Sequence, residues 1–173
     1  MSYTLIQTVT VGSGGSSGAL FSSIPATFTD LLVVASIRDN TSGIAGAVRL
    51  RLNGSTANFS GRDLQGTGSS VGSGSFSNNF MANTNGNTAT ANTFSSLQIY
   101  IPNYAGSTNK SISVDNVTET NGTTAYQNLV AQLWSNTAAI TSLEVYADST
   151  FLQHTSVSLY GITRGSSGGV VVS

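Results

Sequence analysis

His154 is the only histidine in the chain, so any Ser-His-Asp relay would have to run through it. The G-x-S-x-G spacings, such as Gly14 to Gly18, fall in Gly/Ser-rich stretches with no following helix, so none reads as the turn that would expose a nucleophile. His154 therefore reads as a surface or structural residue. Glycoside hydrolysis needs two carboxylates facing one cleft. Glu144 and Asp115 fall on predicted strands and make the one conceivable pair, while the other acids read as turn formers or solvated side chains. Asp39-Asn40 and Asp115-Asn116 look like the starts of Asx turns, but neither continues into the spacing of a calcium loop. The glycines of 12–18 lack both a phosphate-loop lysine and a following helix, so they read as a hairpin or loop. The chain has no cysteine, which removes thiolate ligands, cysteine nucleophiles and disulfides together. No catalytic residue, cofactor or metal set is expected, and the chain reads as a non-enzyme.

Other side chains suggest contact. Arg49 and Arg51 share one face of a strand and can pair with acids across an interface, or locally. Val71, Phe76, Phe80 and Met81 are the large apolar side chains of a stretch that is otherwise Gly, Ser, Asn and Thr, which reads either as a surface loop or weak extra hairpin, or as an arm that docks Phe76, Phe80 and Met81 on a neighbouring subunit. Val170, Val171 and Val172 follow a Gly-Ser hinge and could add a strand to an exposed sheet edge. Tyr100, Tyr104, Tyr126 and Tyr160 would serve a glycan if they formed an exposed row, and Trp134 reads as core or sheet edge.

Stepping to the elements that must hold these groups, composition narrows the choices. Charged residues make up only 8% of the 173 positions and net charge is −1, against about a quarter charged in an ordinary domain. Such a chain has no basic field for a phosphate backbone, so nucleic acid is not expected as a partner. No apolar run reaches the ~20 residues of a membrane span, and MSYTLIQTVT has no signal-peptide pattern, so synthesis in the cytosol is expected.

Period-two alternation is the clearest structural signal. It is cleanest at Val48-Arg49-Leu50-Arg51-Leu52, and it predicts further strands over 4–11, 94–101, 110–117, 126–134, 140–146 and 155–163. The segment 19–24 adds one more. The apolar run 31–37 reads as a central strand covered on both faces. The expectation is an all-β, two-sheet β-sandwich of jelly-roll type, one domain over 1–163 with a tail at 164–173 and a long Gly/Ser/Asn-rich loop at 66–92.

Four stretches carry a resemblance: FSSIPATFTDLLV (21–33), RLNGSTANFSGRDL (51–64), QLWSNTAAITSLEVY (132–146) and SVSLYGI (156–162). In this order they resemble elements of small tailed-phage virion proteins, with Ser55 and Phe59 departing from the usual Asp and Tyr. None of the motifs is catalytic. The resemblance implies a bacteriophage virion structural protein, in first place a capsid decoration or cement protein. Its partners would be the major capsid protein and copies of itself in a homotrimer. The alternative is a small tail or fibre adhesion module that binds host glycan.

Overall fold

In the computed structural model of the chain, residues 1–122 and 124–164 are described. They form twelve strands: β1 (Ser2–Thr10), β2 (Ser16–Phe21), β3 (Asp30–Ile37), β4 (Ala45–Leu52), β5 (Phe59–Gly66) and β6 (Val71–Phe76), then β7 (Phe80–Asn85), β8 (Ser95–Pro102), β9 (Lys110–Thr118), β10 (Tyr126–Trp134), β11 (Leu143–Phe151) and β12 (Ser156–Thr163). One sheet has eight strands in the order β1-β12-β3-β8-β9-β10-β5-β6, and the other has four in the order β2-β11-β4-β7. Every ladder is antiparallel.

That order is a jelly roll with an addition. β1-β12-β3-β8 faces β2-β11-β4-β7, with the chain crossing between sheets at almost every turn, which is the double Greek key of an eight-stranded jelly roll. The remaining strands are two hairpins, β5-β6 and β9-β10. Both extend the larger sheet beyond β8, giving it a four-stranded wing.

Alternating burial builds the core. Val48, Leu50 and Leu52 of β4 are fully buried against Val145 and Leu143 of β11, and Leu97, Ile99 and Ile101 of β8 face them from the opposite sheet. Burying side chains of this size contributes about 1.5–3 kcal/mol each. β3 departs from its predicted two-sided cover, because Val34 and Ser36 point outward while Leu31, Val33 and Ile37 are buried. Its outer face is open because, among the described residues, no second layer lies over the large sheet.

The expected loop at 66–92 contains two strands. Backbone pairing makes β6 a partner of β5 and carries β7 across to β4 in the small sheet. Only 67–70, 77–79 and the segment after Asn85 remain irregular. Composition hid these strands because Gly, Ser and Asn have low strand preference, and here backbone pairing and buried polar bonds supply what side-chain patterning does not. Thr84 Oγ1 donates to the Ile37 carbonyl at 3.1 Å, and Asn85 Nδ2 reaches Thr93 Oγ1 at 2.7 Å.

Asparagine supplies the tight turns. Asn53, Asn58, Asn92, Asn103 and Asn121 all have positive φ, a conformation that Asn tolerates better than other residues with a side chain. Gly161 meets a different need. A Cβ there would lie 2.3 Å from the Phe28 ring, so only glycine lets β12 pass under that ring.

Candidate functional site

The residues expected to make contacts have been sorted by the fold. Met81 is fully buried and belongs to the core; Phe76 and Phe80 are half-buried and meet edge to face, with centroids 5.5 Å apart. The docking arm is therefore corrected: the three residues pin the crossing from wing to small sheet. The physical reason is a bulge: the pairing of β7 with β4 passes from Ala82 to Phe80 and skips Met81, whose side chain is buried in the core beside that of Ala82. Val170, Val171 and Val172 lie outside the described residues.

Arg49 and Arg51 do share the outer face of the small sheet, but each has an acid on β11. Arg49 binds Asp148 through Nε and Nη2, and Arg51 binds Glu144 while its guanidinium lies 4.6 Å from the centre of the Tyr146 ring. The hydrogen bonds that Arg49 donates to Asp148 raise its pKa above the ordinary value. Both arginines are thus satisfied within the subunit.

The expected pair of acids does not share a cleft. Glu144 stands on the outside of the small sheet and Asp115 on the outside of the large one, so the whole sandwich separates them. Among the described residues no group of three His, Asp or Glu side chains gathers as a metal site. Trp134 is buried and stacks on Phe59 at 6.3 Å. Tyr104 is buried too, its hydroxyl donating to the Pro25 carbonyl, and burial pushes its pKa up. Tyr100 and Tyr160 stand on the outer face with Leu32 between them. Tyr100 donates to buried Asp30 at 2.8 Å, and desolvation with that bond raises its pKa. The four tyrosines form no row.

Two surfaces remain. The first is a cleft of about 560 Å³ at the loop end of the jelly roll, walled by Arg38, Asn40, Asn92, Phe94, Gln153 and His154. Sequence reading missed Arg38, whose signal would have been a lone arginine at the end of an apolar strand. It is only 8% exposed and donates to the carbonyls of Asn87, Ala89, Thr90 and Thr93. Those bonds fold the 87–93 segment into one wall of the cleft. His154 holds a left-handed turn, φ 73°, with its N–H on the Val11 carbonyl.

The second surface is the outer face of the eight-stranded sheet. Register aligns its side chains in rows across the strands. Tyr160, Leu32 and Tyr100 continue into Ser113, Ala131 and Arg62; one step along, Ser158, Val34 and Gln98 continue into Asp115, Leu129 and Leu64. Small hydroxyls, amides and aliphatic groups dominate, and Arg62 and Asp115 are the charges in these rows.

Compared with known protein families, curated proteins and solved structures, the chain matches none of them. The site therefore has to be read from its own geometry. A broad, nearly neutral face with only shallow grooves suits contact with another large surface, and the cleft suits a small polar ligand.

Proposed function

We propose that the chain is a non-enzymatic structural protein of a bacteriophage virion that acts by covering and bridging neighbouring shell subunits. The observation that carries this reading is the outer face of the large sheet, which is wide and nearly free of charge while no chemistry-bearing cluster accompanies it. The order of the four motifs resembling virion proteins supports it. Seven gaps between eight strands at about 4.8 Å make that sheet roughly 34 Å wide, enough to span a junction between shell subunits. Many weak contacts repeated by symmetry would then resist outward pressure on the shell.

The test is addition of the purified protein to capsids that lack it. Saturation at a fixed multiple of the capsomer number is expected; absence of binding, or binding without saturation, overturns the reading.

Adhesion to host glycan is the second reading, and the cleft favours it. Phe94 offers a ring for a sugar face and Asn40, Asn92 and Gln153 offer amides. On that reading, Phe94→Ala would abolish binding to host cells. On the first, it would leave capsid attachment unchanged.

A further inference from the structure

We propose that the outer face of the wing is a self-association surface, on which a second copy of this chain packs face to face about a two-fold axis parallel to β10. This goes beyond the decoration reading, since it names a surface and an occupant and stands on the properties of this chain alone.

Five of the exposed large apolar side chains gather on this one face: Leu64 at 48%, Val71 at 77%, Val117 at 42%, Leu129 at 48% and Leu133 at 37%. They are neighbours by register. Leu129 lies opposite Leu64 across β10 and β5, and in the next row Val117 and Gln127 lead to Gly66 and Val71. Two shallow grooves, of about 380 and 260 Å³, run on either side of the Leu64–Leu129 ridge and share those two residues. A ridge between grooves can interdigitate with an identical surface, as the inner faces of stacked sheets do. The outer face of the small sheet is different: its arginines are matched by acids from the same subunit.

Charge selects the occupant and the axis. The wing face carries one cation, Arg62 on β5, and one anion, Asp115 on β9, on opposite sides of β10. They are two strands apart, about 10 Å, and no ion pair joins them. Arg62 aligns with Ala131 and Asp115 with Leu129, a stagger of two residues along β10. A two-fold rotation about β10 lays β9 of each copy over β5 of the other. Arg62 of each copy then reaches diagonally to the partner's Asp115, forming two symmetric ion pairs around a centre of Leu129 and Ala131. The face is self-complementary in charge and in relief, which is what an isologous contact requires.

The area is adequate for modest affinity. Four strands of about seven residues cover roughly 19 by 24 Å, and side-chain relief brings the buried surface to the order of 600 Å² per copy. That is the lower end of specific interfaces, where micromolar association is ordinary. The contact yields pairs, and the homotrimer implied by the phage resemblance is not what this face would build.

Sedimentation velocity of the full chain over about a hundredfold concentration range tests this. A monomer–dimer equilibrium is expected, and Leu129→Asp, an outward-facing change, should abolish it without shifting the melting temperature. Arg62→Asp and Asp115→Arg should each weaken pairing about tenfold or more, and the double exchange should restore it. A monomer at every concentration, a trimer, a dimer indifferent to Leu129→Asp, or a double exchange without rescue would overturn the proposal. Capsid attachment is scored separately. Pairing without attachment would sink the decoration reading and leave this one, whereas a monomer that loses attachment on Leu129→Asp would assign the face to the shell protein.

Discussion

At the scale of single residues, burial has reassigned groups that composition made conspicuous. Met81 stood out as a large side chain in a polar stretch, yet it fills the core, so Met81→Ala should cost about 2–4 kcal/mol in urea unfolding. A loss under half that would return it to the surface. Asp39 was legible only as the start of a turn. It is fully buried, and desolvation raises its carboxyl pKa against the opposing hydrogen bonds from Thr41. Between the ordinary value of 3.8 and the raised folded value, the folded chain holds a proton that the unfolded chain has released. Stability from this group is therefore full below 3.8 and falls as pH rises through that window. Asp39→Asn should flatten that part of the curve, and an unchanged slope in unfolding series from about pH 3 to pH 7 would contradict the assignment. Lys110 has the opposite sign. Its buried ammonium donates to the Gly106 and Thr108 carbonyls while desolvation lowers its pKa. Its contribution thus improves as pH climbs from the lowered folded value towards 10.5.

At the scale of elements, alternation located the nine strands whose inner faces are aliphatic, most to within a few residues. It failed at β5, β6 and β7. There the inward groups are Phe59 and Gly61 on β5, Met81, Ala82 and Thr84 on β7, and little beyond Phe76 on β6, so no regular apolar period exists to be read. Gly61 is nonetheless the most constrained position of the wing. A Cβ there would lie 2.0 Å from Gln132 Oε1 and 2.5 Å from the Phe76 ring. Gly61→Ala should cost about 1–3 kcal/mol and loosen β6, whereas Gly66→Ala, which would meet nothing within 4 Å, should cost far less. Equal melting temperatures for the two variants would refute the packing described for β5 and β6. The wing's inner face is also polar: Asn128 Oδ1 accepts from Asn83, and Gln132 Nε2 donates to the Asn78 carbonyl. Asn128 Nδ2, Gln132 Oε1 and Trp134 Nε1 have no partner among the described residues. Amides of β5, β6 and β10 should consequently exchange with deuterium before those of β3 and β8.

At the scale of the whole molecule, the scarcity of charge was visible from composition, but its distribution was not. Only the fold could show that Arg49 and Arg51 are matched within the subunit while Arg62 and Asp115 stand apart on the wing. The candidate site escaped sequence reading for the same reason: which outward residues become neighbours depends on the order β9-β10-β5-β6, which joins two hairpins separated by more than thirty residues. Attachment to a particle through a neutral face should change little with ionic strength, because screening acts on charge and not on apolar contact. Release by moderate salt alone, followed by light scattering of washed capsids, would contradict this.

The left-handed asparagine turns also set how the molecule ages. Asn53-Gly54 and Asn121-Gly122 place a small, unhindered amide nitrogen next to a side-chain carboxamide, the arrangement in which asparagine cyclises and hydrolyses to aspartate. Asn53 is restrained, its Oδ1 accepting from Thr141 and Ser142 and its Nδ2 donating to the Ala139 carbonyl. Asn121 is exposed, and its side chain is not held in this way by any of the described residues. Deamidation should begin at Asn121, and in a chain whose net charge is −1 each conversion adds a negative charge large enough to separate old from new molecules on an ion-exchange column.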